Sequence, residues 1–302
     1  MSGRPLSLLA FWGSLVGIVH THIGYPLSLA LWRVTGGGRG TKWSQDPDPP
    51  AASGADLPRV SLIIAAHDEE DVIARKLGDA LALGYPRERL ELIVASDGST
   101  DGTVERSREA GADLVLDLPR AGKIATQNAA VERASGELLA FSDANAYWEP
   151  DALGLLARAF DDPRVGYACG QVVFTDAAGD NQEGAYWRYE LWVRELESGL
   201  GGITAGNGGI YAVRREAYLP LGPSRSHDLS FPFELERGGW RSLYVPGAWA
   251  VEKMVPTTPG EFERKRRMMR GLWDIVIGDR MIDPRGYRPG FAYRLFSHRI
   301  LR

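Results

Sequence analysis

Four short apolar runs, separated by segments of helical spacing, limit what this chain can fold into: Val60–Ala66 (VSLIIAA), Leu90–Ser96 (LELIVAS), Leu114–Asp117 (LVLD) and Leu138–Ser142 (LLAFS). Each is rich in leucine or β-branched residues and too short for a helix, which is how a strand buried on both faces reads. Between them, Val72 to Leu83 carries Val72, Leu77 and Leu81 at helical spacing, and Gly122 to Ala134 reads as a second helix. Strands alternating with helices require right-handed crossovers. They predict an α/β fold with a doubly wound, mostly parallel sheet and flanking helices. Ligands of such sheets lie beyond the carboxyl ends of the strands.

Polar residues collect at those ends: His67-Asp68-Glu69-Glu70, Asp97-Gly98-Ser99 and Asp143-Ala144-Asn145. Asp and Ser after a strand also serve as helix N-caps, and that reading is preferred for Glu70 and Asp101. Asp97 and Asp143 each follow an apolar strand directly and point toward the expected crevice, so a chemical role is preferred for them. No GxGxxG follows the first strand and no GxxxxGK[ST] occurs anywhere, which disfavours dehydrogenases and P-loop NTPases. A nucleotidyltransferase would need a Gly- and Lys/Arg-rich loop where Ala65-Ala-His-Asp-Glu-Glu70 stands. The single cysteine, Cys169, excludes an intramolecular disulfide and a multi-cysteine metal site. A net charge of −4 argues against nucleic acid as a partner.

From Leu6 to Trp32 there is no Lys, Arg, Asp or Glu. A membrane-spanning helix needs about 20 mostly apolar residues. Trp12, Tyr25 and Trp32 suit interfacial positions, and Arg33, Arg39 and Lys42 come directly after. Residues 1–35 are therefore expected to anchor the chain in the cell (inner) membrane, with the remainder of the chain in the cytosol. The rival readings are a signal peptide and a hairpin broken at Pro26. Residues 36–56, rich in Gly, Pro and Ser, read as a flexible linker.

The runs VSLIIAAHDEE, LIVASDGSTDGT, GKIATQNAAV and AFSDAN, continued by TAGNGGIYAVRRE, HDLSFPFEL and RKRRMMRGLW, together resemble family-2 glycosyltransferases of the membrane-associated, polysaccharide-synthase-like kind. The likeness spans Pro58 to Trp273 and implies a GT-A fold, placed here at residues 57–280. In that family the acid ending the second strand meets the base or ribose of a UDP-like donor, which falls on Asp97. Ala65, Ala66, His67 and Glu69 would line the uridine pocket, and Lys123 would approach the diphosphate as a point charge. Asp143 and Asn145 stand at the DxD motif, which implies a divalent metal, Mg or Mn, held by oxygen ligands. Asn145 replaces the second acid with a neutral carbonyl.

The acceptor side would use the glycine-rich turn Gly206-Asn207-Gly208, where glycine lets backbone approach a sugar closely. Asp228 matches the family's general base, which takes a proton from the acceptor hydroxyl as it attacks and inverts the anomeric carbon. Capping of the following helix is the competing role. His227 replaces the acid that usually precedes it. In the family's QxxRW motif this chain offers Arg267 for Gln, Arg270 as a diphosphate clamp and Trp273, displaced by two, as the sugar platform. The helix expected over 183–200 carries Glu190 and Trp192, to which no role attaches.

Residues 281–302 hold Arg285, Arg288, Arg294, Arg299 and Arg302 against one acid, Asp283, with Phe and Tyr interleaved. They read as a basic amphipathic tail at the membrane interface. The tail stops where many relatives enter further membrane helices, so the chain is either naturally short or truncated. A processive polysaccharide synthase needs several spanning helices to pass its product. The expectation is therefore a metal-dependent inverting transferase that moves a sugar from a nucleotide-sugar to a glycan or lipid-linked acceptor at the cytosolic face. A polysaccharide-synthase fragment and an inactive nucleotide-sugar-binding module are the alternatives.

Overall fold

A computed structural model of the chain describes residues 4–36, 57–175, 184–223, 225–253, 266 and 272–302. Arg267, Arg270 and nearly all of the linker read over 36–56 lie outside them.

The apolar runs form β1 (Val60–Ala66), β2 (Leu90–Asp97), β3 (Leu114–Leu118) and β4 (Leu138–Asp143), followed by β5 (Ala146–Trp148), β6 (Val165–Thr175), β7 (Ile210–Arg214) and β8 (Arg241–Lys253). They make one sheet in the order β3-β2-β1-β4-β7-β6-β8-β5. β1 to β4 are mutually parallel, β7 runs antiparallel between β4 and β6, and β5 is antiparallel to β8. The sheet is thus mostly parallel, with reversed strands only at β7 and β5.

Both faces are covered, as continuous hydrophobic strands require. Leu62, Ile64, Leu92 and Val94 point to one face, which carries α3 (Ile73–Leu81) and α6 (Ala152–Arg158). Ile63, Ile93, Phe141 and Tyr211 point to the other, under α5 (Lys123–Arg133) and α8 (His227–Arg237). On the first face, α4 (Thr103–Glu109) packs beside α3.

The N-terminal apolar segment is one continuous rod, α1 (Arg4–Val19), a π-helical turn over His20–Gly24, and α2 (Tyr25–Val34). Pro26 does not break it. The wider turn absorbs the residue that lacks an N–H, and the His22 carbonyl, to which Pro26 can offer no hydrogen, accepts the Tyr189 hydroxyl at 2.9 Å. Ser7–Val34 is long and apolar enough to cross a membrane. Its first half exposes Leu8, Leu9, Phe11 and Trp12, and Leu9 is 71% exposed.

The second half packs. Tyr25 and Leu29 meet Val193 and Leu196 of α7 (Ala185–Gly199). Alongside, α9 (Pro289–Leu295) and the π-helical turn Phe296–Ile300 run antiparallel to it. His20 Nε2 lies 3.0 Å from Ser297 Oγ, and Ser28 Oγ lies 2.7 Å from Tyr293 Oη. The C-terminal segment is therefore not only a surface tail. Phe291, Arg294, Leu295 and His298 are buried, while Tyr293, Phe296 and Leu301 stay exposed. A hydrophobic cluster joins Phe233 of α8 to Ile275, Met281 and Phe291, so the boundary read at residue 280 runs through one packed unit.

Candidate active site

The register brings the strand ends together. Ala65 pairs with Asp143 on β4, and Ala66 pairs with Ser96 on β2, so His67, Asp97 and Asp143 emerge at one edge of the sheet. His67 Nδ1 lies 2.9 Å from the Asp97 carbonyl and fastens the two loops. Ala66 is buried.

Asp97 is largely enclosed. Its Oδ1 accepts the amides of Ala121 at 2.6 Å and Gly122 at 2.9 Å. Burial works against its charge, but these backbone donors and the Thr126 hydroxyl outweigh it and hold the carboxyl below its usual range. Gly122 adopts φ 94°, which favours glycine and lets both amides face one carboxylate. Glu69 behaves in the opposite way: burial, then the neighbouring Asp143 and Asp101, raise its pKa. The N-cap positions of α3 and α4 are Val72 and Gly102, so Glu70 and Asp101 are not themselves the caps but bond the backbone where α4 starts. Asp101 accepts the Thr103 amide at 3.0 Å as α4 begins, and Glu70 accepts that of Gly102 at 3.1 Å.

Lys123 is the hub of the cleft. Its ammonium is ion-paired with Asp143 Oδ1. Desolvation opposes its charge, yet Asp143, Asp228 and Glu252 together raise its pKa above the ordinary lysine value. The residues read separately as donor contact and metal ligand therefore meet in one ion pair.

The metal reading rests on two oxygen donors, Asp143 and Asn145. Asp143 already binds a cation, the Lys123 ammonium. Asn145 turns its amide nitrogen to Glu252 Oε1 at 3.2 Å, which directs its carbonyl oxygen away from Glu252. Hard oxygens of this kind suit Mg or Mn. Among the described residues no group of three or more His, Cys, Asp or Glu is arranged to hold an ion. A bound metal would thus rely on Asp143 and Asn145, with its remaining ligands from a diphosphate and water.

The glycine-rich turn lies against the start of α8. Pro232 inside that helix has no N–H to return to the Asp228 carbonyl, and the Gly206 amide takes its place at 2.6 Å. A Cβ on Gly206 would lie 2.0 Å from Tyr167 Oη, so the approach requires glycine. Asn207 Oδ1 accepts the Gly209 amide at 3.3 Å and shapes the turn around Gly208. Asp228 itself is half-buried.

His227 is not an acid surrogate. It is buried, its Nδ1 is 2.6 Å from the Tyr211 hydroxyl, and its ring packs 4.5 Å from that of Phe231. Trp273 is 62% exposed, beside the π-helical turn Asp274–Gly278.

Residues 61–220, more than half of the chain, match the model of glycosyl transferase family 2. The chain belongs to that family. Among relatives of this glycosyl transferase family 2 chain, the beta-monoglucosyldiacylglycerol synthase of a Nostoc species is 27% identical over 250 residues, covering 74% of this chain and 53% of the relative. The poly-beta-1,6-N-acetyl-D-glucosamine synthase of Staphylococcus aureus is 23% identical over 236 residues, covering 74% and 57%. The chain spans about half the length of these curated relatives. In structure it is similar to the mannosyltransferase PcManGT of Pyrobaculum calidifontis, solved with GDP-Man and Mn2+, with a TM-score of 0.69 and 25% identity over 96% of this chain and 81% of that one. The expected GT-A fold is thereby shown.

Sequence reasoning missed Glu252. It lies on β8, where Pro246 and Gly247 interrupt the apolar pattern, and its pairing with Ala146 of β5 sets it beside Asn145. It also missed Lys76 of α3. This fully buried lysine donates to the Ala146 carbonyl one residue past Asn145, and burial, opposed by Asp79 and Asp143, lowers its pKa to about 8.

Proposed function

We propose that this chain is a membrane-anchored, inverting, metal-dependent glycosyltransferase. It transfers a sugar from a UDP-sugar to a hydroxyl of a glycan or lipid-linked acceptor. The observation that carries the reading is the meeting of His67, Asp97 and Asp143 at the carboxyl edge of the parallel strands, with the Lys123 ammonium ion-paired to Asp143. The mannosyltransferase neighbour, with its nucleotide-sugar and Mn2+, supports the donor class and the metal.

In the proposed reaction, Asp97, His67, Glu69 and Ala66 receive the nucleoside, and Lys123 meets the diphosphate, with Arg267 and Arg270 assigned to the same task by sequence. Asp228 accepts the proton of the acceptor hydroxyl as its oxygen bonds to the anomeric carbon. The bond from that carbon to the diphosphate oxygen breaks on the opposite face, and the configuration inverts. Mg or Mn held by Asp143 and Asn145 would neutralise charge on the departing nucleotide. Gly206, Asn207 and Gly208 border the acceptor, with Trp273 as a further acceptor contact.

The apolar rod and the exposed Tyr293, Phe296 and Leu301 beside it support anchoring at the inner membrane with the cleft in the cytosol. A glycolipid synthase among the relatives supports a lipid acceptor. The test is product detection with a panel of UDP- and GDP-sugars, Mg or Mn, and diacylglycerol or oligosaccharide acceptors. Intact nucleotide binding without turnover on any of them would overturn the enzyme reading.

A further inference from the structure

Outside the cleft, a second polar cluster lies where the two chain ends meet the domain. Its centre is Glu197 of α7, which is fully buried. A buried carboxylate is costly unless it is paired and hydrogen-bonded, and this one has partners from three separate segments. Tyr25 of the N-terminal rod donates its hydroxyl to Oε1. His298 of the C-terminal segment places Nδ1 2.7 Å from Oε1. Thr204 gives its amide to Oε2 at 3.0 Å and its hydroxyl to the same oxygen at 3.0 Å. Arg299 Nε donates to that Thr204 hydroxyl at 3.1 Å.

Thr204 begins the acceptor-side turn. Two residues on, the Gly206 amide holds the Asp228 carbonyl at 2.6 Å. A Cβ on Gly206 would meet the Tyr167 hydroxyl at 2.0 Å, so the turn is closely packed on that side and has little room to absorb a displacement of Thr204.

We propose that Glu197 is a positioning residue for the acceptor side. Through it, Tyr25 of the apolar rod and His298 of the C-terminal segment set the turn over residues 204–208 against the first turn of α8. Docking of the rod thereby conditions how an acceptor meets the base. This deepens the function proposed above and rests on Asp228 being that base.

The experiment compares Tyr25→Phe and Thr204→Val with the parent full-length chain in detergent micelles. Amide hydrogen exchange is the first readout. Exchange over residues 203–209 should rise about tenfold in both variants, the scale of one lost hydrogen bond to a charged group, while β2 stays protected. No change over 203–209 in either variant, or an equal rise in β2, would overturn the proposal. Transfer to dioctanoylglycerol is the second readout. Its KM should rise about tenfold with the donor KM within about twofold, whereas simple destabilisation would move both or neither. If the parent chain does not glycosylate dioctanoylglycerol, the lipid-acceptor reading fails and the exchange result still decides the role of Glu197.

Discussion

The hydroxyl of Tyr211 and Nδ1 of His227 lie 2.6 Å apart beneath the candidate base. Gln127 donates to the Tyr211 oxygen at 3.4 Å, so the tyrosine passes its own hydrogen on to His227, which accepts as a neutral imidazole. Burial, and then the Lys123 charge, depress the histidine pKa from 6.5 to about 3.

That depression makes stability depend on pH with a defined sign. The unfolded chain takes up a proton below about 6.5 and the folded one does not, so the contribution is complete above 6.5 and is lost as pH falls toward 3. At pH 5 the loss is about 2 kcal/mol. Denaturant unfolding of the parent chain and His227→Gln at pH 7 and pH 5 should show a drop smaller by about that amount in the variant. Equal drops would refute a buried neutral histidine.

Asp228→Asn keeps the size of the side chain and removes the proton acceptor. Transfer should fall by about 10²- to 10⁴-fold, the usual contribution of a general base. Nucleotide affinity, measured by titration calorimetry, should stay within about twofold because the donor pocket is built from β1, β2 and α5. A variant that remained active would return Asp228 to a capping role.

On the proposed reading, a divalent ion would compete with the Lys123 ammonium for the Asp143 carboxylate. Lys123→Gln should let the nucleotide-free protein bind Mn about tenfold more tightly, since an opposing charge has left the ligand, while weakening donor binding by a similar factor. Calorimetric titration with Mn alone, then with UDP, separates the two effects. Chelation by EDTA should abolish transfer in the parent chain, and added Mn or Mg should restore it.

Gly206→Ala forces a methyl group against the Tyr167 hydroxyl, 2.0 Å from the ideal Cβ position. The cost should be about 1–3 kcal/mol, seen as a fall in Tm of several degrees. Combining it with Tyr167→Phe should recover part of the loss, because the nearest atom is gone and the ring carbons remain.

The parallel half of the sheet was legible because its strands are unbroken apolar runs, and a run of that kind has few folds open to it. The antiparallel half was harder. Along β6, Gly166, Gly170 and Gln171 interrupt the apolar residues, and β5 is three residues long. Gly170 itself answers to a tertiary fact, since a Cβ there would lie 2.0 Å from the Ala248 carbonyl. The candidate site residues at strand ends stand in local motifs, whereas Glu252 and Glu197 have hydrogen-bond partners about a hundred residues away that no local motif encodes. The rival hairpin at Pro26 fails for a related reason: the carbonyl that Pro26 leaves unserved is served by Tyr189 of α7, which local spacing does not encode.

The pairing of the N-terminal rod with α7 and α9 changes what residues 36–56 can do. A flexible linker between an anchor and a free domain would let the cleft wander through a range of heights above the lipid. Here Tyr25 and Leu29 are already seated in the domain, so the segment spans two parts of a single body. Were the rod to cross a bilayer as proposed, the distance and tilt of the cleft above it would be set by side-chain packing rather than by the length of that segment. Lengthening it should leave the enzyme's reach unchanged, whereas deleting the rod to obtain a soluble domain would strip Val193, Leu196 and Glu197 of their cover.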